Sequence, residues 1–310
     1  MTGENVKLHL KNSAGVTIKQ RLKEYAGEVE AFLRGCLTDA AIPAGLREAM
    51  EYSLLAGGKR LRPVLCLSFA RMLGADGQAV MPFAAAFELI HTYSLIHDDL
   101  PAMDDDDLRR GRPSNHKVYG EAMAILAGDG LLTEAFALSA TACPAIAAKA
   151  VVRATATLAR AAGAAGMVGG QALDMAYTAK PGISLDELRE MQALKTGALL
   201  RAACVCGAEL AQAPEADVAR ACEYGRAVGA AFQIVDDVLD VVGDEKTLGK
   251  PVGSDIEQGK TTYPSLVGVE KSMDLARGFV TEAQHSLQPF EGEDARFLRD
   301  LAQYIVDRAS

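Results

Sequence analysis

Two clusters of aspartates carry the chemistry of this chain: Asp98-Asp99 with Asp104, and Asp236-Asp237 with Asp240. Each follows an apolar run, His91-Thr-Tyr-Ser-Leu-Ile-His97 before the first and Ala231-Phe-Gln-Ile-Val235 before the second. Carboxylates that leave water beside apolar side chains must be paired, protonated or bound to metal. Two such clusters facing each other would hold hard divalent cations through oxygen, and those cations would hold a polyanion. The pattern points to diphosphate chemistry.

The spacing sets different demands on the two halves. Asp236 and Asp240 are four apart, on one face of a helix, with Gln233 one turn earlier. Asp237 lies about 100° round and suits a supporting role. In the first cluster the third acid waits until Asp104, about 600° of helix rotation beyond Asp98, so a continuous helix would turn it away. Pro101 disfavours helix at Leu100 and removes a backbone donor, so the helix is expected to end near Asp99 and an irregular turn to bring Asp104 back. The acidic stretch from Asp105 to Asp107 reads equally well as a solvated loop.

Basic groups stand near both clusters. Arg109 and Arg110 follow the first and could grip diphosphate oxygens bidentately or simply neutralise the aspartates. In Gly57-Gly58-Lys59-Arg60-Leu61-Arg62-Pro63, a helical reading puts Lys59 and Arg62 on one face with Arg60 pointing away. That is a second anion site or ordinary surface charge. His91, two turns before Asp98 on nearly the same face, reads either as facing that cavity or as a core histidine. Lys195-Thr196 and a glycine-lysine loop from Leu248 to Lys260, including Lys250, add further cations; the loop suits a lid over phosphate.

The elements that must position these residues are helical. The chain has 310 residues, 49% hydrophobic and 24% charged, with almost no β-branched alternation. Apolar spacing predicts helices over 17–37, 44–73, 77–99, 117–141, 145–163, 185–208, 215–241, 257–287 and 292–309. Ser184-Leu-Asp-Glu187 is a capping box. With no interdomain linker visible, 17–310 reads as a single all-α domain and 1–16 as a flexible N-terminal tail. A net charge of −9 argues against nucleic acid. Six scattered cysteines read as buried hydrophobes in a reducing cytoplasm. No run reads as uncharged and long enough to span a bilayer.

Six segments, in order, resemble the motifs of the short-chain trans-polyprenyl diphosphate synthases. They are Gly57-Gly-Lys-Arg-Leu-Arg-Pro63, His91 through Gly111, Gly169-Gly-Gln-Ala-Leu-Asp174, Lys195-Thr-Gly-Ala-Leu199, Phe232-Gln-Ile-Val-Asp-Asp-Val-Leu-Asp240 and Gly259-Lys-Thr-Thr-Tyr-Pro264. The resemblance runs from about residue 20 to the C-terminus. It implies an isoprenoid-synthase helical bundle with a central active-site cavity, usually a homodimer, with about three Mg²⁺ ions per site, Mn²⁺ being possible. Asp98, Asp99 and Asp104 would hold metal from one wall, Asp236 with Asp240 from the other. Arg109, Lys195 and Lys250, with Gln233 nearby, would hold the allylic diphosphate, and Lys260 would be a further substrate-binding cation. Lys59, Arg62, His91 and Arg110 would hold isopentenyl diphosphate, and Lys195 with Thr196 would face the reacting carbons. The implied reaction is head-to-tail (1′-4) condensation of isopentenyl diphosphate with dimethylallyl and geranyl diphosphates to (2E,6E)-farnesyl diphosphate. Geranyl or geranylgeranyl diphosphate synthesis, or a non-catalytic partner subunit, are the alternatives.

In that family the residues four and five before the first aspartate set product length. Here they are Ser94 and Tyr93. Ser94 leaves room under Asp98, while Tyr93, about 7.5 Å below, reads as a floor or as ordinary core. An aromatic there together with the Pro101-Ala102 insertion resembles the C15 pattern.

Overall fold

The computed structural model describes residues 17–141, 145–178, 180, 182–242 and 260–309. Its elements, in order, are α1 (Ile18–Leu33), α2 (Ala44–Leu54), α3 (Leu61–Met72), α4 (Gly77–Asp98), β1 (Leu108–Arg109), β2 (Arg112–Pro113), α5 (Asn115–Tyr119), α6 (Glu121–Thr141), α7 (Ala148–Ala162), α8 (Met167–Thr178) and α9 (Leu185–Gln192). A π turn (Ala193–Gly197) follows, then α10 (Ala198–Leu210), α11 (Glu215–Val242), α12 (Tyr263–Val267), α13 (Val269–Ser286) and α14 (Glu293–Asp307). The all-α expectation holds. The proposed tail at 1–16 and the lid with Lys250 lie outside the described residues.

The bundle is built around α4, buried on nearly every side by α3, α6 and α10, with Phe83, Phe87, Leu89 and Ile90 at its centre. α11 packs between α10 and α13. The two long aspartate-bearing helices, α4 and α11, thus sit in the interior, where their apolar sides are consumed by neighbours. Local chemistry fixes the helix starts: the capping boxes Thr17/Gln20, Ser184/Glu187 and Thr262/Ser265 are all formed.

Several boundaries differ from the sequence expectation. The segment 44–73 is two helices, because Gly57 and Gly58 adopt φ of 79° and 138° and Arg60 φ of 49°. Arg60 therefore does not point away. Its guanidinium is buried and donates to Glu88 (2.6 Å), Glu30 (3.0 Å) and the Leu54 carbonyl (2.8 Å). Left-handed backbone at a residue with a Cβ costs about 1–2 kcal/mol, which this buried charge network offsets. The helix α8 was not expected from the sequence, since its Gly169-Gly170 pair reads as a break. The segment 185–208 is interrupted by the π turn, and Leu108–Pro113 forms a two-residue antiparallel hairpin.

The sequence holds no uncharged run of bilayer length, as expected, although helical windows carrying one or two acids come closer. By length and apolar content alone, α4 and Glu121–Ala140 of α6 would qualify. Scattered acids such as Glu88 and Asp129 mask this in the sequence. α4 spends its apolar surface inside the bundle, with 78% of its most apolar window buried, but only 33% of the α6 window is covered. α6 exposes Ile125 and Leu126, with Val118 of α5 beside it.

Candidate active site

α4 ends at Asp98, with Asp99 as its C-cap. The Leu100 amide bonds the His97 carbonyl, Met103 bonds Leu100, and the Asp104 amide donates to the Asp98 carbonyl at 2.9 Å. The turn forced by Pro101 thereby folds Asp104 back beside Asp98.

Both face Lys195 on the π turn. Burial alone would lower the Lys195 ammonium, but its ion pair with Asp174 of α8 outweighs this, and Asp98 and Asp104 raise it further. Burial pushes Asp98 up to about 6, a shift that Lys195 opposes and the Asp104 charge reinforces.

The π turn depends on a close helix approach. A Cβ on Gly170 of α8 would lie 2.1 Å from the Lys195 amide nitrogen. Gly170→Ala is expected to push α8 and the π turn apart, costing about 1–3 kcal/mol of stability. It should also lower kcat while leaving metal binding near wild type, which steady-state kinetics beside metal titration will read.

A cavity of about 290 Å³ opens beside Lys195 and Thr196, with Lys59, Asp174, Gln192, Gln233, Asp236, Asp237, Lys260 and Arg308 among its lining. Of the second cluster, Asp236 reaches this cleft and meets Arg308 Nη2 at 3.2 Å. Asp237 is buried and accepts bonds from Gln192 Nε2 (3.1 Å) and the Tyr263 amide (3.0 Å), so it ties α11 to α9 and to the start of α12. Asp240 is 1% exposed. Arg308 stacks over Phe232 at 4.8 Å, with Lys59 over the same ring at 5.7 Å. Burial and the nearby Arg308 hold the Lys59 ammonium below its ordinary value.

Not every candidate converges there. Asp99 is 2% exposed, bonded to the Arg109 guanidinium, which also meets Asp106 at 3.0 Å. Together with Arg110, this pair lines a separate small pocket of about 20 Å³. Arg110 donates to the Gly57 carbonyl and lies against Gly58. Arg62 Nε is buried without a hydrogen-bond partner among the described residues, and burial lowers its guanidinium to about 10. His91 is held well below its ordinary value by burial, then by Arg62 and Arg110, so it is neutral at pH 7. Tyr93 is buried and meets the His97 ring edge-on at 5.7 Å; the Ser94 hydroxyl bonds the His91 carbonyl.

Among these residues, sequence reasoning gave no role to Asp174, Gln192 or Arg308. Asp174 had a signal, an acid in a Gly-Gly-Gln-Ala-Leu-Asp segment. Arg308, two residues from the end of the chain, had none.

The donors of Asp98, Asp104 and Asp236 are carboxylate oxygens alone, a set that fits a hard divalent cation. Asp105, Asp107 and His116 form another group, with ligand atoms within 4.8 Å of one another. There Asp107 already pairs with Lys117 at 2.6 Å, and His116 Nδ1 lies 3.1 Å from the Ser114 hydroxyl.

A stability test follows from Asp98. Its folded carboxyl titrates above the ordinary value near 4, so the fold holds that proton more tightly than the unfolded chain does. The metal-free protein should lose about 2–3 kcal/mol from this group as pH rises from 4 through 6, reaching the full penalty above that. Thermal unfolding at stepped pH checks this, and an added hard divalent cation should restore the loss at pH 7.

The polyprenyl synthetase family profile matches residues 43–289. A dimethylallyltranstransferase from Fischerella ambigua is 47% identical over 281 residues, spanning 91% of this chain and 81% of that one. A chloroplastic geranylgeranyl pyrophosphate synthase from Catharanthus roseus is 44% identical over 275 residues, covering 88% and 77%. The crystal structure of an FPP/GFPP synthase from Zymomonas mobilis superposes with a TM-score of 0.82 at 36% identity, covering 93% of this chain and 98% of that one. A cleft lined by aspartates and lysines, in a helical bundle shared with these proteins, assigns the chain to the polyprenyl synthetase family of prenyltransferases.

Proposed function

We propose that the protein condenses isopentenyl diphosphate with dimethylallyl and then geranyl diphosphate, releasing diphosphate and giving (2E,6E)-farnesyl diphosphate. The observation that carries this is the convergence of three aspartates on one π-turn lysine, Asp98 at the end of α4, Asp104 in the turn after it and Asp174 from α8, with Asp236 across the shared cavity.

Asp98, Asp104 and Asp236 would hold divalent metal, Mg²⁺ being the hard cation their oxygens suit. Bound metal supplies positive charge to the diphosphate leaving group. Lys195 and Lys260 line the same cavity and hold the allylic diphosphate from its other sides. The C1–O bond then breaks, the isopentenyl double bond forms the new C–C bond to C1, and a proton is lost from the isopentenyl unit to the departing diphosphate. Thr196 and the carbonyls of the π turn orient the allylic carbons. The buried aspartates and the packed floor of α4 keep water from the cation. Lys59 and Arg62 receive the isopentenyl diphosphate, and the unpartnered Arg62 Nε is a donor left for such an oxygen.

Product length rests on Tyr93, buried under the end of α4. A C20 product is the second reading, favoured by relatives named geranylgeranyl diphosphate synthases, including one from Cyanophora paradoxa at 45% identity. Incubation with Mg²⁺, isopentenyl diphosphate and geranyl diphosphate, followed by chromatography of the dephosphorylated products, tests both. A linear C15 alcohol supports the proposal, a C20 alcohol the alternative. No turnover at all would support a non-catalytic subunit.

The uncovered face of α6 suits a second copy of the chain. Light scattering should give twice the monomer mass, and Leu126→Glu should reduce it to that of one chain. The cysteines among the described residues, with Cys204 and Cys206 buried, suit a reducing cytoplasm.

A further inference from the structure

A second cavity, of about 240 Å³, lies behind the π turn and is nearly as large as the cleft itself. Its floor includes Ala230 and Phe279, and Arg189, Arg201 and Arg226 line it. Arg226 stacks on Phe279 at 5.8 Å and pairs with Glu282. Arg189 meets Asp186 at 3.4 Å and the Tyr263 hydroxyl, and its buried Nε has no hydrogen-bond partner among the described residues. Arg201 has no ion-pair partner among the described residues. In a chain of net charge −9, three guanidiniums around an apolar floor select an anion with an apolar body.

The wall between the two cavities is thin. Gln192 and Gln233 line both, and both amides bond Asp237, at 3.1 and 3.4 Å. Gly197 of the π turn faces the rear cavity, while Lys195 and Thr196 of the same turn line the cleft. An occupant of the rear cavity would therefore press on the glutamine wall and on the back of the lysine-bearing turn. Single π turns are rare and have an alternative register available, which makes this one a suitable two-state element.

We infer that the rear cavity is an effector site for a small organic anion with an apolar body and a phosphate or carboxylate head, coupled to the cleft through Gln192, Asp237, Gln233 and the π turn. Binding there does not depend on which prenyl product the cleft makes; the coupling rests on the prenyl-transfer reading.

Octyl phosphate is the probe, titrated calorimetrically into the full chain with and without saturating Mg²⁺ and geranyl diphosphate. The expected result is a site that persists with the cleft filled, and that weakens at least about tenfold in both Arg201→Glu and Ala230→Leu. Neither residue touches the cleft, so both variants should keep basal turnover. Octyl phosphate should shift the wild-type KM for isopentenyl diphosphate at least about threefold, and leave both variants unmoved. Full displacement by geranyl diphosphate, or equal binding in all three proteins, would overturn the site. Site-specific binding without the kinetic shift would overturn the effector role. A wild type with no turnover would refute prenyl transfer, while the binding comparison would still decide the cavity.

Discussion

Asp98→Asn is expected to lower kcat/KM by about a thousand-fold, or roughly 4 kcal/mol of transition-state stabilisation, while making the metal-free protein more stable at pH 7. The two effects have one cause. Burial and the Asp104 charge make the Asp98 carboxylate costly in the empty fold, raising it to about 6. An amide is nearly the same shape and carries no charge, so the cost vanishes along with the metal ligand. The gain should approach the 2–3 kcal/mol assigned to this group and should shrink at pH 4, where the wild-type carboxyl is already protonated. Thermal melts at both pH values, beside steady-state kinetics, check the pair. A variant that loses activity and stability together would show Asp98 to be structural, and one that keeps activity would remove the first cluster from the chemistry.

Tyr93→Ala should change the product rather than the rate. The ring is buried about one and a half turns before the end of α4, packed edge-on against His97, and burial lifts its hydroxyl to about 12. Its removal opens space just below the point where the allylic carbon must sit under Asp98. The expected outcome is a shift of the main product from C15 to C20 or longer, with total turnover within about threefold of wild type. Chromatography of the dephosphorylated products reads it directly. An unchanged C15 product would make Tyr93 ordinary core, and a C20 product already in the wild type would place the floor deeper than Tyr93. Some loss of stability, about 3–4 kcal/mol for a buried aromatic, accompanies either result and is separable by melting.

The aspartate arrangement was legible because it obeys local rules. Pro101 ends α4 whatever surrounds it, and the Asp236–Asp240 spacing needs only an unbroken turn. Even so, Asp99 turns to Arg109 rather than to Lys195, since periodicity gives direction around a helix and not what stands opposite. Arg60 shows the same limit: its inward course depends on Glu30 and Glu88, distant in sequence, and on glycines whose conformation the residue pattern does not state. Arg308 is more remote still, brought to Asp236 by the packing of the last helix against α11. The π turn left no trace because its residues, Ala-Leu-Lys-Thr-Gly, would suit an α-helix equally well.

That turn has a consequence for how the chain tolerates change. A π turn is an α-helix carrying one surplus residue, so its existence is a matter of chain length rather than residue identity. Deleting one residue between Ala193 and Gly197 would let α9 and α10 fuse into an uninterrupted helix with every backbone bond regular. Such a chain would be locally more comfortable, yet Lys195 and Thr196 would swing by about 100° relative to α9. Substitutions across this segment would be survivable one by one, whereas a single-codon deletion would silence the enzyme without unfolding it.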